Sequence, residues 1–220
     1  MQFHDNGYVS GDPRREPAAG PERPERLPDQ VDVLIVGAGP AGMTAFAQLA
    51  QFPYVVTRLI ERRPGRLEIG QADGLQARSV ESFQAFGFAN RLIEEAYRIY
   101  SMAFWRPDPA RPAEIVRTKL VPDDPSGISE FPHLILNQAR VLDYFAEFAH
   151  NSPARAVPDY GVEFLGLEVT DDAVLVQVRE EGVTRTVRAK YVLGCDAPAA
   201  RCARQSAASS WDRPPCTPGA

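Results

Sequence analysis

Val31-Asp32-Val33-Leu34-Ile35-Val36-Gly37-Ala38-Gly39-Pro40-Ala41-Gly42 is the stretch on which the reading of this chain turns. Val31 to Val36 is a short apolar run stopped by Gly37, the pattern of a buried parallel strand. Pro40 to Gln51 then reads as a helix whose small residues Ala41, Gly42, Ala45 and Ala47 permit close packing. A second strand, Val55 to Ile60, ends at the charged Glu61-Arg62-Arg63. A G-x-G-x-x-G turn between strand and helix, with an acidic residue about 20 positions on, is a dinucleotide-binding pattern. Gly37 makes the tight turn, Gly39 lets backbone N–H groups approach a diphosphate, and Gly42 lets the helix press on the strand. The helix opened by Pro40 and Ala41 presents its positive end to the anion. Glu61 can accept hydrogen bonds from a ribose diol and would repel a 2′-phosphate, which favours FAD or NAD over NADP at this turn.

Outward from this unit the pattern stays α/β. Helices are expected over Ala77 to Phe88, Arg91 to Tyr97 and Ala139 to Ala149. Strands are expected over Ile99 to Trp105, Glu114 to Leu120 and Leu134 to Leu136. Alternation at Val162-Phe164, Val174-Val176-Val178 and Val183-Val187 predicts a meander around Asp171-Asp172 and Glu181-Gly182. Another apolar run, Tyr191 to Leu193, stops at Gly194-Cys195-Asp196. Residues 1–30 form a Pro-rich arm, draped on the domain or on a partner. Residues 31–196 form the domain, and residues 197–220 a tail with Trp211 as its one large apolar side chain.

The 220 residues are 44% apolar and 24% charged, a globular composition. A net charge of −5 excludes a basic footprint for nucleic acid. No apolar run suffices for a membrane span, and no hydrophobic leader opens the chain, so a cytoplasmic protein is expected. The cysteines are too few for a disulfide scaffold, and His4, His133 and His150 lack metal-ligand spacing.

Three stretches in order carry a family resemblance: Asp32 through Gly42; Ile69-Gly70-Gln71-Ala72-Asp73-Gly74; and Ser129-Glu130-Phe131-Pro132-His133-Leu134-Ile135-Leu136-Asn137-Gln138-Ala139-Arg140. Together they resemble the FAD-dependent aromatic hydroxylases, most strongly the branch of 3-hydroxybenzoate 4-monooxygenase and phenol 2-monooxygenase. The resemblance implies a Rossmann-like FAD-binding domain with part of the β-sheet substrate region, incomplete at this length. It implies FAD as cofactor, NADPH as transient co-substrate, O2, a small aromatic substrate and a homodimeric parent. Asp73 is then assigned to the substrate, where a carboxylate helps deprotonate a phenol; a cap on the turn before Gly74 is the other reading. His133 is assigned near the substrate hydroxyl, with a structural histidine as the alternative. Gln138 and Arg140 are assigned to the flavin and its diphosphate, with a surface helix start as the alternative, and Arg78 to the neighbourhood of the cofactor. Arg62, beside Glu61, could flank the adenine, a solvated charge being the commoner reading. Asp196 belongs to a second diphosphate motif. Phe104, Trp105 and Phe131 could wall an aromatic pocket, but strand-borne aromatics are usually core.

That second motif departs from the family's Gly-Cys-Asp-Gly-Ala-Arg-Ser after Asp196, continuing Ala197-Pro198-Ala199-Ala200. With those residues coded GCG CCC GCA GCC, one restored G yields Gly-Ala-Arg-Ser. A single-base deletion that shifts the frame after Asp196 is therefore expected, leaving a fragment of poor solubility that retains FAD weakly or not at all and is inactive by itself. Two competing readings are another flavoprotein of the same superfamily, such as a halogenase, and a non-catalytic dinucleotide-binding module.

Overall fold

The structure is a computed structural model that describes residues 15–123 and 127–196. The tail expected to be frameshifted lies outside the described residues. These residues fall into two units: a sheet unit made of Arg15–Leu67 and 145–196, and an inserted unit, Glu68–Tyr144.

The sheet unit begins with β1 (Gln30–Val36), α1 (Pro40–Leu49) and β2 (Thr57–Glu61). In the inserted unit come β3 (Gly74–Leu75), α2 (Ala77–Ala85), α3 (Ala89–Glu95), β4 (Tyr97–Arg98), β5 (Ser101–Pro107), β6 (Ile115–Pro122) and β7 (Leu134–Ile135). Helix α4 (Gln138–Asn151) leads to β8 (Asp159–Tyr160), β9 (Val162–Val169), β10 (Val174–Glu180) and β11 (Val183–Gly194).

Six strands make the main sheet, in the order β8-β2-β1-β11-β10-β9. Strands β8, β2, β1 and β11 run parallel, and β9, β10 and β11 form an antiparallel meander. Both faces of β1 and β2 are covered, which is why their apolar runs are continuous rather than alternating. Leu34, Val36 and Ile60 join Val162, Val176 and Val187 in one core cluster. By the two-residue period, Ile35 and Leu59 point to the opposite face, where α1 contacts both strands and buries Met43, Phe46 and Ala47.

The expected strands Val183-Val187 and Tyr191-Leu193 are a single twelve-residue strand. Its first part pairs with β10 from Glu180↔Val183 to Val174↔Ala189. Its second part pairs with β1 from Gln30↔Arg188 to Val36↔Gly194. The polar interruption at Arg188 and Lys190 is thus a change of partner, not an end.

Residues 15–29 lie along the sheet unit. The Glu16 N–H donates to Asn151 O (2.9 Å) and the Ala19 N–H to Pro153 O (3.1 Å), while Leu27 enters the core cluster. Arg58, 1% exposed on β2, donates to Pro24 O (3.0 Å) and pairs with Asp159 through Nε (2.7 Å) and Nη2. A buried guanidinium persists only when its donors are matched in this way.

In the inserted unit β7 lies between β3 and β4, antiparallel to both. Helix α2 stops at Ala85 because Gly87 adopts φ +81° and breaks the repeat. Helix α3 ends at Glu95, short of the expected Tyr97, since Tyr97 and Arg98 pair with β7. Phe88 is buried and stacks on Tyr144, with ring centres 5.2 Å apart. Phe104 and Trp105, expected in the core, are exposed on the two-stranded β5–β6 hairpin. No helix among the described residues is long and apolar enough to cross a membrane.

Candidate functional site

The turn that follows β1 is shaped by three glycines with different reasons to be glycine. Gly37 has φ +104°, and a Cβ there would lie 2.7 Å from Cys195 O. Its N–H continues the ladder to Ile60 O (2.8 Å), as the Cys195 N–H does to Val36 O (2.8 Å). Gly42 is excluded from carrying a side chain by contact alone, since its Cβ would stand 1.9 Å from Gly37 O.

Gly39 is the informative one. It precedes α1 with φ −82° and ψ −178°, extended backbone open to any residue. A Cβ on it would meet nothing within 4 Å. Neither strain nor packing calls for glycine here, and the bare Cα leaves the outer side of the turn open to a close approach from outside. Helix α1 also starts with Pro40, which has no N–H, without a side-chain cap and without an acidic residue in its first turn. Its positive end is therefore left for an anion. This cradle fits the diphosphate of a dinucleotide.

Glu61, at the tip of β2, is buried. Its Oε2 accepts the Ala38 N–H (2.9 Å) and its Oε1 the Arg63 N–H (3.0 Å). The Arg63 guanidinium closes on both oxygens at 3.1 Å. Burial opposes the charged carboxylate, yet the Arg63 side chain and the two backbone donors outweigh it and hold the group below its usual range. Arg63 went unnoticed in the sequence, although its position two residues beyond Glu61 puts it on the same side of an extended chain. Arg62, on the other side, is exposed. Asp196 is half-buried beside the turn, its Cα 3.0 Å from the Cβ position of Gly37. The ends of β1, β2 and β11 thus gather Gly37, Gly39, Gly42, Glu61 and Asp196 at one sheet edge.

A second group lies in the inserted unit. Asp73 has an exposed side chain, and its carbonyl accepts the Leu136 N–H (2.9 Å). His133 is 11% exposed, with Nδ1 2.6 Å from Asp123 Oδ1 and Nε2 3.4 Å from Gln76 Nε2. A Cβ on Gly74 would stand 3.8 Å from that Nε2, so the histidine borders the turn that carries Asp73. Gln138 Oε1 accepts the Gln71 N–H (3.0 Å), and a Cβ on Gly70 would lie 2.4 Å from its Cβ. The Gly70–Gln71 loop is thereby seated on the start of α4.

Arg140 forks onto Glu95 with two contacts of 2.7 Å, and the Tyr144 hydroxyl donates to the same carboxylate (2.6 Å). The Arg140 hydrogen bonds pull Glu95 down to about 2. Burial, and then the hydrogen bond to Glu95 and its charge, push Tyr144 up to about 12. Arg78 is exposed, 3.5 Å from Glu81. Asp123, Gln76 and Glu95 carried no signal in the sequence: Gln76 and Glu95 meet their partners across 57 and 45 positions, and Asp123 reaches His133, ten positions on, only through the fold of the intervening loop.

A glycine turn between a parallel strand and a helix, with a carboxylate closing the next strand, defines a dinucleotide-binding protein. The chain belongs to the FAD binding domain family, which matches residues 30–210. It is 46% identical to the 3-hydroxybenzoate 4-monooxygenase of Comamonas testosteroni, over 89% of this chain and 32% of that protein. It is 35% identical to the FAD-dependent monooxygenase terD of Aspergillus terreus, over 77% of this chain and 29% of that protein. Among solved structures it resembles the flavin-dependent monooxygenase PieE, crystallised with FAD and substrate. There the TM-score is 0.69 and the identity 26%, covering 82% of this chain and 33% of that one. The chain spans about a third of the length of the curated relatives it matches.

Proposed function

We propose that this chain carries the FAD-binding part of a monooxygenase that hydroxylates a phenolic or hydroxybenzoate ring with NADPH and O2, the parent acting as a cytoplasmic homodimer. What supports the cofactor is Gly39, glycine where the fold itself asks for none, at the uncapped start of α1. What supports the substrate class is the 46% identity to a 3-hydroxybenzoate 4-monooxygenase.

The backbone N–H groups of the turn and of α1 would hold the diphosphate, and Glu61, by gripping the Ala38 N–H, keeps the turn in the shape that exposes them. Bound FAD would supply the reducing equivalents and the activated oxygen. The phenol is activated by the protein. Asp73 accepts or orients the phenolic proton, because a phenolate pushes electron density into the ring carbon to be hydroxylated. His133, at the Gly74 turn, offers a second hydrogen-bonding nitrogen to the same hydroxyl. In the sheet unit Arg62 and Asp196 are assigned to the cofactor, and in the inserted unit the family resemblance assigns Arg78, Gln138 and Arg140 to it.

Titrating the frame-restored, full-length protein with FAD, followed by flavin fluorescence, tests the cofactor. Adding 3-hydroxybenzoate and other phenols then tests the substrate class. We expect quenching on FAD addition and a change in the flavin absorption band with a phenol. Absence of FAD binding refutes the flavin reading, whereas FAD binding with no response to any phenol favours a non-catalytic module.

A further inference from the structure

We propose that Asp123 is a positioning residue for His133, fixing its imidazole as the Nδ1–H tautomer so that Nε2 is a hydrogen-bond acceptor beside the Asp73–Gly74 turn. The ligand half of this inference rests on the phenol reading given above; the tautomer half does not.

The argument starts from donors and acceptors. Asp123 Oδ1 stands 2.6 Å from His133 Nδ1, and the two side chains are only 10% and 11% exposed. An ionised carboxylate has no proton to give, so the hydrogen in this contact belongs to Nδ1. On the far side of the ring, Nε2 faces the Gln76 amide nitrogen at 3.4 Å. An amide nitrogen only donates, so it meets an unprotonated Nε2. The Asp123 contact sets the tautomer, and the Gln76 contact agrees with it. In water the Nε2–H form of histidine is the favoured one, so the lock runs against the intrinsic preference and needs the carboxylate to hold it.

Both backbones are pinned as well. The Asp123 N–H donates to Tyr100 O (3.1 Å), and the His133 carbonyl accepts the Ile99 N–H (2.9 Å). The carboxylate is therefore presented to the ring by fixed strand ends. Access on the Nε2 side comes from Gly74, whose missing Cβ would have stood 3.8 Å from that nitrogen.

This arrangement gives His133 a definite chemical sense. A phenolic O–H that takes the place of the Gln76 amide at Nε2 meets the one in-plane lone pair of that nitrogen. When the proton moves, the O–H bond breaks, an Nε2–H bond forms, and the phenolate oxygen keeps the electron pair. The resulting imidazolium is balanced by Asp123. The opposite tautomer would present a donor, which can hold a phenolate but cannot take the proton.

The test uses the 220-residue chain labelled with 15N-histidine, in which three histidines give a small set of long-range 1H–15N signals. His133 in the wild type is expected as the Nδ1–H tautomer. In D123A it should become mainly Nε2–H. In D123N both forms should be populated, because an amide can accept from Nδ1 or donate to it. An Nε2–H signal in the wild type overturns the proposal, and this measurement stands even where a variant fails to fold. Unchanged Nδ1–H in both variants, with circular dichroism matching the wild type, overturns it too. With FAD present, 3-hydroxybenzoate should shift the His133 Nε2 resonance in the wild type and require at least tenfold more ligand in D123A. No shift in a wild type that shows the Nδ1–H tautomer overturns the phenol half and leaves the positioning role standing.

Discussion

Two glycine-to-alanine substitutions separate what the fold needs from what the ligand needs. In G42A the new methyl would sit 1.9 Å from Gly37 O, a backbone atom that cannot rotate away, and 3.3 Å from Cys195 Cβ. Restoring an ordinary 3.4 Å contact requires α1 to move by about 1.5 Å from the turn. Overpacking of this kind costs about 3 kcal/mol. G39A is different in kind. Its φ of −82° and ψ of −178° suit alanine, and the methyl meets no atom within 4 Å. Alanine restricts the unfolded chain, so G39A should be more stable by about 0.4–1 kcal/mol. The same methyl occupies the side from which a diphosphate would approach. Losing one charge-assisted hydrogen bond to the anion costs about 1.5–3 kcal/mol, or roughly 10- to 100-fold in Kd. Urea denaturation followed by circular dichroism reads the stability, and FAD titration by flavin fluorescence reads the binding. If G39A binds FAD as tightly as the wild type, the turn is not the diphosphate site. If it unfolds at lower urea, the separation of roles is wrong.

Two further substitutions probe the polar contacts inside each unit. R58M removes a 1% exposed guanidinium, leaving Asp159 with Arg23 as its remaining ion-pair partner, and should lower the unfolding free energy by about 3 kcal/mol in a urea titration; an unchanged midpoint would mean that the pair contributes nothing to the arm's attachment. Glu95 titrates at about 2 instead of 4.5, so its bond to Arg140 stabilises the fold fully above pH 4.5 and the contribution disappears as pH falls toward 2. Because both side chains are 40% exposed, solvent screening limits that contribution to about 1 kcal/mol or less; E95Q should flatten the loss of stability over this window, and parallel wild-type and E95Q profiles would refute the assignment.

The βαβ unit at the start of the domain was readable in the sequence because its signals are local. An apolar run marks β1, glycines mark the turn, and Pro40 marks the first turn of α1. The meander was readable from alternation, although the polar residues Arg188 and Lys190 hid the continuity of β11. Two-residue strands such as β3, β4 and β8 have no period to detect; they exist because β2 and β7 offer unpaired edges. Arg58 reads as a polar residue in a strand. Only Asp159 and the carbonyls of Pro24 and Glu25, brought in from distant parts of the chain, make its burial affordable. Asp123 lies only ten positions before His133, but no periodic pattern links the two, and the loop between them alone decides that they meet.

Glu61 shows how a correct motif can conceal a different balance of charge. Read from the sequence, a bare carboxylate at the end of β2 rejects a 2′-phosphate by repulsion. In the fold that carboxylate is matched by Arg63, with contacts of 3.1 Å to both oxygens, and the pair is neutral overall. A neutral pair repels an added phosphate weakly. Discrimination at this edge then depends on how much room the Glu61–Arg63 pair leaves, and on whether Arg63 stays with Glu61 or turns toward the anion. The carboxylate's shortest contact is the Ala38 N–H, inside the glycine turn itself. Its first physical role is thus to set the shape of the turn, and any contact it makes with a ribose is added to that.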